Sequence, residues 1–120
     1  MTSPRILLVD DSEILRVTTA ALLEDAGYQV IEAASLAQAR ASLGRGELTA
    51  AIVDLHLGDG LGSDLVDDLR AAHPGAAFVL LTGTAESIPG FSGDAYLLKG
   101  MAPDEMIARI AEAIAGRERR

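Results

Sequence analysis

Cysteine is absent, which excludes disulfides and every thiolate metal site. The only histidines are His56 and His73, too few for a histidine-built centre, so any metal must be held by oxygen. Aromatic residues make up 3% of the chain and tryptophan is missing, which leaves little to stack on a flavin. No apolar run approaches the length needed to span a bilayer, and the start, Met1 to Glu13, turns acidic at Asp10. The chain is therefore expected to stay in the cytoplasm without a membrane partner. Basic residues are outnumbered, 10 Lys and Arg against 18 Asp and Glu, and the net charge of −8 repels nucleic acid phosphates. That argues against direct binding of DNA or RNA.

What remains is a composition of 49% apolar and 23% charged residues in 120, enough for one core and no second domain, so residues 1–120 are read as a single unit. Short apolar runs alternate with helical patterns. Arg5 to Val9 reads as a strand buried on both faces. Ser12 caps a helix with Glu13 in its first turn, an inward stripe of Val17, Ala21, Leu22 and Leu23, and a stop at Gly27. A strand near Gln29 to Ala33 follows, then a helix from a Ser35 cap to Gly44, then a strand from Ala50 to Val53 closed by Asp54. After the glycine-rich loop Leu55 to Gly62 comes a third helix, about Ser63 to Ala72, with Leu65, Val66 and Leu69 inward. It stops before Pro74. Ala77 to Leu81 and Ala95 to Leu98 are the last strands, and Pro103 opens a final helix with Met106, Ile107, Ile110 and Ile114 on one face. Such alternation predicts an α/β fold, a doubly wound five-stranded parallel sheet.

Ligands of such sheets bind beyond the carboxyl ends of the strands. Asp10 and Asp11 follow strand one, Asp54 follows strand three, Thr82 follows strand four and Lys99 follows strand five. Three close carboxylates repel, and Lys99 offsets only one of their charges, so a bound cation is the simple way to keep all three ionised. Oxygen ligands point to Mg2+, which keeps several waters and takes one or two carboxylates together with phosphate oxygens. A carboxylate can attack phosphorus, and Lys99 with the Thr82 hydroxyl would meet the charge of the transferred group. Taken singly, an Asp pair at a strand end is often a helix cap, a Thr a turn residue and a Lys a solvated side chain. Their joint placement favours the chemical reading.

From Ile6 to Ile114 the sequence resembles the receiver domains of two-component response regulators. The resemblance rests on Ile6-Leu7-Leu8-Val9-Asp10-Asp11, on Asp54 with Asp59-Gly60-Leu61-Gly62, on Leu80-Leu81-Thr82-Gly83 and on Ala95-Tyr96-Leu97-Leu98-Lys99. It implies the flavodoxin-like strand order 2-1-3-4-5, phosphorylation on Asp54, and Mg2+ held by Asp10, Asp11, Asp54 and the His56 carbonyl. It also implies a phosphoryl-bound Lys99, a switch pair of Thr82 and Tyr96, and hydrolysis water passing His56 and Thr84. The donor would be a phosphohistidine on a sensor histidine kinase or phosphotransfer protein, docking near Leu15 and Met101, and the output a downstream protein. The chain would catalyse only its own phosphorylation and dephosphorylation. The alternative is a receiver-shaped interaction module that works without phosphorylation.

Other chemistries on similar folds find no support. A flavin site wants a Ser/Thr-rich loop after strand one, a dehalogenase-type phosphatase wants a second Asp where His56 stands, and Gly58-x-Gly60-x-Gly62 is neither a P-loop nor a dinucleotide fingerprint. The chain departs from the receiver pattern in three places. Gly100 follows Lys99 where most receivers have a proline after a cis bond, Gly58 replaces a frequent proline, and the crossover after Thr82 is short. That crossover contains Gly83, Pro89, Gly90 and Gly93, so a fourth helix between strands four and five is expected to be short or absent, with Phe91 packing the loop down. Some receivers with a shortened fourth helix carry Pro-Phe-x-Phe-Ala-Thr-Gly-Tyr, of which Phe78, Thr82 and Gly83 are kept. Without that helix the chain would act as a monomer that orders residues 83–94 around the phosphate.

Overall fold

The computed structural model describes residues 3–83 and 93–118. Its strands are β1 (Arg5–Val9), β2 (Gln29–Ala33), β3 (Ala50–Asp54), β4 (Ala77–Thr82) and β5 (Ala95–Leu98). Its α-helices are α1 (Glu13–Asp25), α2 (Leu36–Ser42), α3 (Val66–Ala72) and α4 (Pro103–Glu118). All strand pairs of the main sheet are parallel and the order is β2-β1-β3-β4-β5, as expected.

Alternation along buried strands sends neighbouring side chains to opposite faces, which explains why the runs are apolar throughout. Leu7, Val9, Ala51, Val53, Phe78 and Leu80 meet Leu36 and Ala39 of α2 and Val66 and Leu69 of α3. Ile6, Leu8, Ile52, Val79 and Leu97 meet Ala20 and Leu23 of α1 and Met106, Ile110 and Ile114 of α4. Both faces are thereby covered.

Four details differ from the reading of the sequence. On α1 Leu23 is buried and Leu22 packs against the core as read, but the other buried residue is Ala20, whereas Val17 is 53% exposed and Ala21 lies at the surface. The helix is turned because Arg16, not an apolar residue, lies on its inner face, with a guanidinium bonded to the Asp10 carbonyl at 2.9 Å. α2 ends at Ser42, before Gly44. A 3-10 turn, Gly62–Leu65, precedes α3, since Leu61 offers no side-chain cap and the tighter bonds serve the first N–H groups. β4 extends one residue further and takes in Thr82, opposite Leu98.

Beyond β5 the chain turns at Gly100, φ +89°, and the Met101 N–H returns to the Leu98 carbonyl at 3.2 Å. No peptide bond among the described residues is cis. The expected shortening of the fourth helix, with Phe91 and Thr84, falls on residues 84–92, outside the described residues. No helix among the described residues is long and apolar enough to cross a membrane.

The start of β5 is fixed by Asp94, whose side chain is 6% exposed. Its N–H donates to the Phe78 carbonyl at 2.8 Å, and its Oδ2 accepts the Phe78 N–H at 2.8 Å and Arg70 Nη2 at 3.5 Å. Arg117 of α4 approaches from the other side at 4.0 Å. Removing the Asp94 carboxylate takes an acceptor from the Phe78 N–H and the nearest counter-charge from two guanidinium groups. Asp94→Ala should therefore lose about 3 kcal/mol of stability, read as a lower urea midpoint at unchanged slope. A loss below about 1 kcal/mol would mean that the cluster is solvated and weak.

Candidate metal centre at the sheet rim

Parallel register carries the polar residues to one rim. Asp54 closes β3, Thr82 closes β4, and Asp10 and Lys99 each stand one residue past their strands with N–H groups still bonded to the neighbouring strand. Asp10, Asp54 and Thr82 are buried polar residues, 1%, 2% and 3% exposed, while Asp11 faces solvent. One carboxylate oxygen from each of Asp10, Asp11 and Asp54 lies within 4.8 Å of the others.

Lys99 reaches across from β5, its Nζ 2.9 Å from Asp54 Oδ2. Burial works against the Lys99 charge, but the hydrogen bond it donates to Asp54 and the fields of Asp54, Asp10 and Asp11 outweigh it and its pKa is raised. Asp54 Oδ1 accepts a long bond, 3.3 Å, from the His56 N–H. Asp10 Oδ1 accepts the Ser12 N–H at 2.9 Å, while its Oδ2 is buried with no partner. Burial raises the Asp10 carboxyl above the ordinary range, the Ser12 bond opposes this, and the Asp54 charge adds to it. An orphaned buried carboxylate oxygen beside two further carboxylates, with oxygen as the donor throughout, fits a hard divalent cation.

Two residues brace the segments that carry the rim, and composition and spacing do not reveal them. Arg16 donates from Nη1 to the Asp10 carbonyl at 2.9 Å and from Nε to Glu32 Oε1 at 3.1 Å, bracing the β1–α1 junction against β2. Asp59 accepts the Leu36 and Ala37 N–H groups of α2. A charged residue on the inner face of α1, one helical turn after the Ser12 cap, is the only trace of the first in the sequence. Gly62 is required for a different reason, since a Cβ there would overlap the Asp54 carbonyl oxygen and lie 2.7 Å from Val53 Cγ1. Two further residues singled out in the sequence do not join the cluster. The His56 side chain is exposed, and Tyr96 is half-buried against the core face that carries Val53 and Leu80.

The family model of the response regulator receiver domain matches residues 6–111. The chain belongs to that family. This receiver is 37% identical over 116 residues to the alginate biosynthesis transcriptional regulatory protein AlgB of Pseudomonas aeruginosa, covering 91% of this chain and 25% of that protein. It is 39% identical over 80 residues to the photosynthetic apparatus regulatory protein RegA of Rhodovulum sulfidophilum, covering 67% of this chain and 44% of RegA. The receiver thus spans about a quarter of the AlgB length and less than half of RegA. Among solved structures, a CheY-like receiver domain protein from Methanospirillum hungatei superposes with a TM-score of 0.88 at 28% identity, covering 98% of both chains. A response regulator protein from Burkholderia pseudomallei, solved with a phosphorylated aspartic acid, a calcium ion and citrate, gives 0.82 at 30% identity, over 96% of this chain and 71% of that one.

The Asp10 environment generates a stability prediction for the metal-free protein. A folded-state carboxyl pKa raised above its unfolded value means that the folded state holds the proton more tightly, so stability is lost as pH rises from the ordinary carboxylate range through the raised value. Asp10→Asn keeps an oxygen for the Ser12 N–H and removes the buried charge. It should gain about 1 kcal/mol at pH 7, shrinking towards zero in acid, by chemical denaturation in a chelator. A variant no more stable than wild type at pH 7 would contradict this.

Proposed function

We propose that this receiver is the phosphoryl-accepting switch of a two-component phosphorelay, modified on Asp54 by a sensor histidine kinase or a histidine phosphotransfer protein. The observation that carries the reading is the Asp54 carboxylate, buried at the rim, held by Lys99 Nζ at 2.9 Å and flanked by Asp10, whose Oδ2 has no partner. An Asp54 oxygen forms the new bond to phosphorus as the phosphorus–nitrogen bond of the phosphohistidine breaks, and the electron pair leaves with the imidazole nitrogen. Lys99 and the Thr82 hydroxyl receive the phosphoryl oxygens. Asp10, Asp11, Asp54 and the His56 carbonyl would hold Mg2+, which supplies positive charge against the transferring group. The phosphorylated aspartic acid and calcium ion of the Burkholderia pseudomallei relative support this assignment.

Thr82 and Tyr96 then act together as the switch, Thr82 moving towards the phosphoryl group and Tyr96 changing rotamer. Beyond its own phosphorylation and dephosphorylation the receiver is no enzyme. It works in the cytoplasm as a monomer and passes the signal to a downstream protein, with net charge −8 opposing contact with nucleic acid or an anionic membrane surface. Ile14, Leu15 and Val17 on α1 are 80%, 45% and 53% exposed beside the rim, a surface suited to the kinase. Met101 is part of the core packing and a weaker candidate for docking.

Labelling by a small phosphodonor in the presence of Mg2+ tests the reading. Wild type should be labelled and should bind beryllofluoride, and Asp54→Ala and Asp54→Asn should abolish both. Label accepted by Asp10 or Asp11 at a comparable rate would overturn it. In metal titrations Asp11→Ala should remove most of the Mg2+ affinity and Asp10→Ala less, and the reverse order would reassign the direct ligand.

A further inference from the structure

Asp59 stands at the tip of the short antiparallel ribbon in which His56 pairs with Leu61 and Leu57 with Gly60. Its oxygens are taken up by α2. Oδ1 accepts the Leu36 N–H at 3.0 Å and Oδ2 the Ala37 N–H at 3.1 Å, the first two N–H groups of α2, which the helix itself cannot satisfy. These bonds hold the Asp59 carboxyl below the ordinary range. The helix already has a local cap, since Ser35 Oγ accepts the Gln38 N–H at 3.1 Å. What Asp59 adds is a link between distant segments.

The ribbon is pressed onto the same turn of α2. A Cβ on Gly60, φ +150°, would lie 2.8 Å from Leu36 Cδ1, and Leu57 shares the core cluster of Leu36. At its other end the ribbon adjoins the acceptor. The His56 N–H reaches Asp54 Oδ1 at 3.3 Å, and the Gly62 N–H closes the loop on the Leu55 carbonyl at 2.7 Å. With only two residues in each arm, the Asp59 tip lies three residues from the His56 peptide beside Asp54.

We propose that Asp59 is a positioning residue of the metal centre: it staples the loop after β3 to the first turn of α2 and so holds the His56 peptide beside Asp54. The inference rests on the Mg2+ reading above and concerns a residue that touches neither metal nor phosphate.

NMR decides it with two readouts on full-length wild type, Asp59→Ala, Asp59→Asn and Ser35→Ala, at a temperature where all are folded. One is the amide exchange of His56 in metal-free protein, the other the Mg2+ affinity by titration. Ser35→Ala removes a cap from the same helix end without touching the loop, so a merely structural role predicts equal effects of the two alanine variants. The expected result is a loss of about tenfold in Mg2+ affinity and faster His56 exchange in Asp59→Ala, with changes under about twofold in Ser35→Ala. Asp59→Asn keeps one acceptor oxygen, falls between, and carries the test if Asp59→Ala does not fold. Unchanged Mg2+ affinity in the Asp59 variants, or an equal loss in Ser35→Ala, overturns the proposal while the Mg2+ reading stands. A wild type that binds no Mg2+ overturns both.

Discussion

Parallel pairing ends on the residues that matter at the rim. The last ladder bonds run from the Asp10 N–H to the Ala33 carbonyl at 3.1 Å, from the Leu55 N–H to the Leu81 carbonyl at 2.9 Å and from the Lys99 N–H to the Thr82 carbonyl at 2.8 Å. Register is the constraint on which the site depends, because each strand is buried on both faces and a slip of one residue would exchange its two sets of side chains. The same slip would move a carboxylate about 3.3 Å along the strand and separate Asp54 from Lys99. Tight packing of Phe78, Ile52 and Leu8, all fully buried, therefore protects the chemistry as much as the core.

The rim runs against what stability alone would select. A fold built only to persist would not bury Asp10 with an oxygen unpartnered or set three carboxylates within 4.8 Å. Such violations concentrate at functional sites, and the surrounding structure must hold them in place. Here that support comes from Arg16 under the β1–α1 junction, from Gly62 where no side chain fits, and from the ribbon fixed to α2.

Much of this was legible in the sequence. Strands buried on both faces announce themselves as unbroken apolar runs, and β1, β2 and β5 begin and end where composition places them. The convergence of Asp10, Asp11, Asp54 and Lys99 followed from one rule, that polar residues after successive parallel strands share a rim. What could not be read depends on contacts between distant segments. On α1 an arginine reaching back to a strand end takes a place on the inner face, so counting apolar residues found Leu22 and Leu23 but put Val17 and Ala21 inward where they are exposed. The Asp59 bonds cross more than 20 residues of sequence, and an aspartate in a glycine-rich loop looks like turn chemistry until α2 is in place. Asp94 gives no signal of burial, because its partners Arg70 and Arg117 come from two different helices.

Lys99 arrives on the last strand, 45 residues after the carboxylate it pairs with. A chain folding from its N-terminus during synthesis brings out Asp10, Asp11 and Asp54 first, and the β1–β3 pair that gathers them needs nothing beyond Asp54. β5 pairs with β4 at the edge of the sheet, so the lysine joins only after both of those strands are made. Until it does, the acidic rim stands without its balancing cation. The Lys99–Asp54 ion pair therefore also registers that β5 has docked, and a chain cut or frayed before that strand would present its aspartates without their counter-charge.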